Sequence, residues 1–216
     1  MYETHPGEDP ETTKRVERIE TEFRRAFDLL EELPKSVSIF GSNAVREGNQ
    51  YYGEARRLAY RLAKDAGLAI VTGGGPGIME AANRGAAEAG GVSVGFQIDI
   101  PNAEPKNHYA NRELKFHYFF SRKVALSFAA SMYIFFPGGY GTLDEFFELI
   151  TLIQTRKIQP IPIYCFGSRY WQPIERMLSS YALHDGYITE RDMRLFTIGD
   201  DPDEIIRAAR QAPVRE

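Results

Sequence analysis

From residue 36 to residue 211 the chain repeats one arrangement. A short apolar run, often rich in β-branched residues, is followed by a longer segment whose apolar residues recur every three or four positions. The short runs fall at 36–42 (SVSIFGS), 68–75 (LAIVTGGG), 92–98 (VSVGFQI), 132–136 (MYIFF), 161–166 (IPIYCF) and 193–199 (MRLFTIG), with 113–119 (ELKFHYF) as a further short strand. Helical periodicity occupies 50–66, 76–89, 121–130, 142–156, 169–182 and 202–211. A strand that is apolar throughout must be covered on both faces, and strand–helix alternation supplies that cover to a parallel sheet. The pattern predicts an α/β fold: a doubly wound, Rossmann-like parallel sheet with helices on both faces. A length of 216 residues suits one core, so 35–216 is read as a single domain.

Residues 1–34 stand outside that alternation. Pro6, Gly7, Pro10 and three acids make 1–10 a disordered start. From Glu11 to Leu33, Val16, Ile19, Phe23, Phe27 and Leu30 mark an extra N-terminal amphipathic helix ended by Pro34. It precedes the first strand, so it is an addition that covers a surface or a partner subunit. An irregular polar stretch, 99–112, separates two of the strands.

A net charge of −4 argues against a nucleic acid partner, so a phosphate must be held locally rather than by a basic face. The single cysteine, Cys165, excludes an intramolecular disulfide and suits a reducing cytoplasm. Its apolar run makes it a buried structural thiol. No apolar stretch approaches the ~20 residues of a membrane span, and the polar N-terminus is unlike a signal peptide. The expected location is cytoplasmic, with no membrane partner. His108 and His117 lack metal-ligand spacing, so no metal site is expected.

Three strands end in glycine loops: Phe40-Gly41-Ser42-Asn43, Thr72-Gly73-Gly74-Gly75-Pro76-Gly77 and Pro137-Gly138-Gly139-Tyr140-Gly141-Thr142. In open α/β sheets ligands bind beyond the carboxyl ends of the strands, where strand order reverses. Glycine lets successive N–H groups converge on an anion, and the following helix adds its open N–H groups and positive dipole end. The alternative for each loop is a tight strand-to-helix turn and nothing more. No GxGxxG with a distant acid and no GxxxxGK[ST] is present, which excludes a dinucleotide fingerprint and a triphosphate-hydrolysing loop. No cofactor is expected.

The segment PGGYGTLDE (137–145) matches a PGGxGTxxE signature, VTGGGPGIMEAAN (71–83) a second glycine motif, and SRKVAL (121–126) an Arg-Lys motif. Together, over about 35–200, they resemble the LOG ("lonely guy") family, long labelled possible lysine decarboxylases. The resemblance implies hydrolysis of the N-glycosidic bond of N6-modified adenosine 5′-monophosphates to free base (a cytokinin or adenine) and ribose 5-phosphate. It places Arg122 and Glu145 as the catalytic pair. Gly138, Gly139, Gly141 and Thr142 would hold phosphate, with Gly73, Gly74, Gly75 and Met79 beside the nucleotide. Gly41 and Ser42 of the first loop, and Lys123, complete the expected binding set. A homodimer or higher homo-oligomer is implied too. Glu80, the HYFFSRK approach to Arg122, the 97–112 loop and the extra helix depart from the shorter plant-type members and leave the base open.

Cleaving the bond from C1′ to the base leaves positive charge on the ribose, which a carboxylate beside it stabilises. Glu145 suits that role, and Arg122 an electrostatic one, since arginine is a poor proton donor. The rival for Glu145 is a Thr142-x-x-Glu145 capping box. Lys123 is either a phosphate ligand or a solvated cation, and Glu148 either faces the same mouth or is solvated. A decarboxylase would need pyridoxal phosphate on a lysine, and nothing around Lys123 resembles such a site. A non-catalytic nucleotide or cofactor carrier is the alternative function.

Overall fold

The computed structural model describes residues 9–99 and 107–214. Most of the expected disordered start and residues 100–106 of the irregular stretch lie outside the described residues. Asp9 and Pro10, expected in that start, open the first helix instead. The Asp9 carboxylate accepts from the Glu11 N–H at 3.2 Å, and Pro10 takes the first helical position.

The helix α1 (Pro10–Glu31) packs against α4 (Phe119–Ser127) and β4 (Arg112–Phe116). Its buried line runs through Glu22 and Ala26, so the expected stripe is only partly inward: Val16 and Phe27 are exposed. Phe27 instead meets Phe128 edge-on, with ring centroids 5.8 Å apart.

Six further strands, β1 (Ser36–Phe40), β2 (Ala69–Thr72), β3 (Ser93–Ile98), β5 (Tyr133–Phe135), β6 (Ile163–Phe166) and β7 (Thr197–Gly199), join β4 in one parallel sheet. The order is β4-β3-β2-β1-β5-β6-β7. The alternation of side chains along each strand divides the core in two. Val37, Ile39, Ile70 and Ile134 pack with α2 (Gln50–Ala66), α3 (Ile78–Glu88) and α7 (Pro202–Gln211). Phe40, Val71, Tyr133 and Phe135 pack with α1, α4, α5 (Tyr140–Gln154) and α6 (Ser168–Met177). This is the doubly wound arrangement that the alternation predicts. Among the described residues no helix is long and apolar enough to cross a membrane. Cys165 is buried in β6, where burial pushes its thiol well up.

Boundaries differ from the periodicity where backbone groups find partners outside the ladder. The run 36–42 leaves the sheet after Phe40, because the Ser42 N–H donates to Pro137 O at 3.0 Å. The run 68–75 leaves after Thr72, whose hydroxyl accepts from the Gly74 N–H at 3.0 Å. The run 193–199 is cut to Thr197–Gly199, because the Asp192 carboxylate accepts from the Thr189 N–H and hydroxyl, each at 2.8 Å, and holds a turn there. The helix expected at 169–182 ends at Met177 and continues as a π-helical turn, Leu178–Leu183.

A buried polar cluster ties the second glycine loop to the sheet. Asn83 Oδ1 accepts from the Thr72 hydroxyl at 2.5 Å and from Asn107 Nδ2 at 2.7 Å. Its own Nδ2 donates to Ser93 Oγ at 2.8 Å and to Val94 O at 3.1 Å. All four side chains are buried, so removing the central amide strands several groups at about 1–3 kcal/mol each. Asn83→Leu should therefore lower unfolding free energy by at least about 3 kcal/mol in urea titration. An unchanged midpoint would show that the cluster contributes nothing.

Candidate active site

Sheet order reverses between β1 and β5, so the helices that follow them, α2 and α5, go to opposite faces and leave a crevice beyond the carboxyl ends of the strands. A cavity of about 830 Å³ lies there. It runs over the ends of β4, β3, β2 and β1 to the first turn of α5. That size is within the range of small-molecule sites.

Three loops meet at Ser42. Its N–H donates to Pro137 O and its C=O accepts from the Ile78 N–H, both at 3.0 Å. Gly77 makes the second contact possible: it has φ 75°, and a Cβ there would strike Ser42 O and the Asn43 backbone. Gly73 is needed for another reason, since a Cβ would overlap the Arg122 guanidinium and sit 2.9 Å from Met79 Sδ.

Gly139 is the N-cap of α5, and no side chain caps the helix. Its first N–H groups are open toward the cavity that Gly139, Tyr140, Gly141 and Thr142 line. The helix begins three residues earlier than the Thr142-x-x-Glu145 pattern suggests, at Tyr140 rather than Leu143. Thr142 and Leu143 donate through their backbones to Gly139 O at 3.0 and 3.1 Å. Thr142 and Glu145 are both inside the helix, so the capping box does not form.

Glu145 is freed from that duty and buried, 8% exposed, at the cavity wall. Its Oε2 has no hydrogen-bond partner among the described residues. Burial, with the neighbouring Glu148 charge, pushes its carboxyl up to about 7, against the opposing pull of Lys123 and Arg122. Arg122 comes from the second turn of α4 and crosses to the sheet. Its Nε–H donates to Phe96 O at 2.7 Å and its Nη2 to Gly73 O at 3.3 Å. Burial pulls the guanidinium below its ordinary value while the Glu145 charge opposes. The site thus holds a fixed cation, a carboxyl poised near neutrality and an open helix N-terminus.

Of the residues singled out from sequence, Gly41, Ser42, Gly73, Gly74, Gly75, Met79, Arg122, Gly139, Gly141, Thr142 and Glu145 all line the cavity. Gly138 and Lys123 do not. The Gly138 carbonyl accepts from the Tyr170 hydroxyl at 2.6 Å, which braces the loop from behind. Lys123, one residue past Arg122, does not line the cavity and pairs with two carboxylates of α5, Asp144 at 2.7 Å and Glu148 at 3.2 Å. Burial opposes its charge, but these carboxylates hold it above its ordinary value. Glu148 faces a shallow depression on the outer side of α5, not the cavity mouth. The lysine on the cavity is Lys115. Sequence reasoning missed it, with Gln97 and Asp99, because no glycine marks the ends of β3 and β4; Phe119 opens α4, and Tyr140 stood in the third glycine loop without being singled out. The carboxyl-end rule applied to every strand would have found Gln97.

A family model described as "Possible lysine decarboxylase" matches residues 79–209. The chain belongs to the LOG family. Arg122 and the 137–145 segment lie within the match, and the first two glycine loops lie upstream of it. A pyrimidine/purine nucleotide 5′-monophosphate nucleosidase of Escherichia coli K12 is 30% identical over 84% of this chain. This chain covers only 41% of that relative's length. A cytokinin riboside 5′-monophosphate phosphoribohydrolase of Rhodococcoides fascians is 26% identical over 82% of this chain and 90% of its own. A molybdenum cofactor carrier protein of Chlamydomonas reinhardtii superposes with a TM-score of 0.59 at 20% identity, over 83% of this chain and 98% of that one. The last is a likeness of fold.

The raised Glu145 carboxyl has a sign for stability in this LOG-family chain. Its folded value, about 7, lies above the ordinary 4.5. The folded state therefore binds the proton more tightly, and stability falls as pH rises from about 4.5 through 7, by on the order of 3 kcal/mol. Glu145→Gln removes that cost and no cap. The variant should be more stable than wild type at pH 8, with the difference closing near pH 4.5. Thermal melts across that range check it, and a variant less stable at pH 8 would contradict it.

Proposed function

We propose that this chain hydrolyses the N-glycosidic bond of nucleoside 5′-monophosphates, releasing the base and ribose 5-phosphate. The observation that carries the reading is Glu145: a buried carboxyl with an unpartnered oxygen, beside Arg122 and within one and a half turns of an uncapped helix N-terminus. The names of the Escherichia coli and Rhodococcoides relatives support the same bond and the same 5′-phosphate. Adenosine 5′-monophosphate and its N6-modified forms are the substrates proposed, in the cytoplasm.

The 5′-phosphate sits on the open N–H groups of Gly139, Tyr140 and Gly141, with the Gly41–Ser42 loop opposite. The ribose then lies between Glu145 and Arg122. As the bond from C1′ to the base breaks, its electron pair leaves with the base and positive charge develops on the ribose. The ionised Glu145 stabilises that charge and takes a proton from the water whose oxygen bonds to C1′. The proton passes to the departing base. Arg122, fixed by Phe96 O and Gly73 O, holds ribose or phosphate oxygens without giving up a proton.

Incubating the protein with AMP and with adenosine, and separating released adenine by chromatography, tests this reading. AMP should be cleaved and adenosine should not. Equal turnover would remove the phosphate-binding role of the loops. Because the ionised form of Glu145 acts, kcat/KM for AMP should rise about tenfold per pH unit below about 7 and level above it. Glu145→Gln should lose at least about a hundredfold in base release while still binding AMP. A variant within a few-fold of wild type would leave Glu145 without a catalytic role. A carrier, the role named for the Chlamydomonas neighbour, would bind AMP and return it intact.

We also propose a homodimer. The outer face of α5 exposes Tyr140, which is 95% exposed, and Phe147. Leu143, Thr151 and Leu152 line a shallow depression beside them. An apolar face of this kind fits a second copy. Light scattering at micromolar concentration should give twice the 24.5 kDa chain mass. A single-chain mass would overturn the assembly.

A further inference from the structure

The cavity extends well past the groups that the proposed reaction needs. Its far end lies over β3 and β4, where Gln97, Ile98, Asp99, Lys115 and Phe119 form the wall. Gln97 differs from the rest. Its Nε2 is buried and has no hydrogen-bond partner among the described residues. An unsatisfied buried amide N–H is costly, so it marks a place where a partner from outside the chain belongs.

The position of Gln97 is set from three sides. Its side chain lies over Gly74, where a Cβ would come within 2.7 Å of Gln97 Cγ. The residue before it, Phe96, accepts the Arg122 Nε–H. The residue beside it in the ladder is Lys115. Gln97 and Arg122 thus flank the same glycine loop at the end of β2. Two strand spacings, about 10 Å, separate β3 from β1, whose loop faces the α5 N-terminus. That is the reach of a nucleoside monophosphate from phosphate to base.

Resting on the monophosphate reading above, we propose that Gln97 is the residue that holds the base, through two hydrogen bonds to its edge. The amide offers a donor and an acceptor side by side. Adenine presents the complement as its 6-amino group and N1, and hypoxanthine presents the reverse pair as its 6-oxo group and N1–H. No bond among the described residues pins the amide, so a half-turn about its last torsion fits either edge. The site accepts amino and oxo bases alike, and discriminates between them far less than a carboxylate or a pinned amide would.

The test is equilibrium titration of AMP, IMP and ribose 5-phosphate into Glu145→Gln protein, which holds the substrates uncleaved, with and without Gln97→Met. AMP and IMP should bind within about tenfold of each other, and Gln97→Met should weaken both about tenfold. Ribose 5-phosphate, which has no base, should bind as before, and this also reports an intact fold. Gln97→Asn, which draws the amide back by one methylene, should lose affinity in the same pattern, so a folding failure of one variant leaves the other to decide. Unchanged nucleotide affinity, or equal loss for nucleotides and ribose 5-phosphate, would overturn the base-holding role. Loss for AMP alone would overturn the flipping amide. Base release by the wild type is scored separately: turnover with no Gln97 effect sinks this inference only, and a Gln97 effect without turnover sinks only the hydrolase. If neither AMP nor ribose 5-phosphate binds, both fall.

Discussion

The Ser42 peptide is gripped from both sides, by Pro137 O on its N–H and by the Ile78 N–H on its C=O. The three segments involved follow β1, β2 and β5, strands that meet where the order of the sheet reverses. With these bonds in place, the loop of β1, the start of α3 and the loop leading to α5 form one wall. The cavity, the uncapped end of α5 and the path of Arg122 across Gly73 all take their positions from it. The Ile78–Ser42 bond exists because Gly77 allows the backbones to approach where a side chain would not fit, and on the Pro137 side a Cβ on Gly138 would crowd Ser42 N and Thr142. The Asn83 cluster secures the same loop from below, through Thr72.

Against that rigid frame the charges are left uneven. Lys123, the cation that would neutralise Glu145 most directly, is drawn away by Asp144 and Glu148. Arg122 is occupied by two backbone carbonyls and partly stripped of solvent. Glu145 is left buried, raised in pKa and short of a partner. A structure built for stability alone would have paired or removed it. Such unspent electrostatics concentrate where a ligand completes the balance.

The fold was legible because its signal is local and repeated. Apolar runs such as 132–136 and the helical spacing at 50–66 depend on residues a few positions apart, and the structure returns Gln50–Ala66 for the latter. The PGGYGTLDE and SRKVAL segments gave Glu145 and Arg122, and both reach the cavity. Thr142-x-x-Glu145 misled, because a capping box is defined by where the helix starts. That start is decided by Gly139 and the Pro137 contact, not by the four residues themselves. Lys123 misled for a similar reason: neighbours on a helix diverge by about 100°, so one enters the cavity and the next leaves it.

From its sequence alone, the chain was bound to form a parallel sheet covered on both faces, with glycine loops at the strand ends and an acid and an arginine near them. The sheet and its loops follow from periodicity and from glycine's missing side chain, and the acid and the arginine from the resemblance of PGGYGTLDE and SRKVAL to LOG-family motifs. Which carboxylate is orphaned, which cation is spent, where the expected helix stripe is left exposed at Phe27, and that Gln97 faces the same cavity were decided only in three dimensions. Burial and pairing depend on segments far apart in sequence. Gln97 meets Gly74 only once β3 lies beside β2, and Arg122 meets Phe96 only once α4 packs on β3, and no local pattern encodes such a meeting.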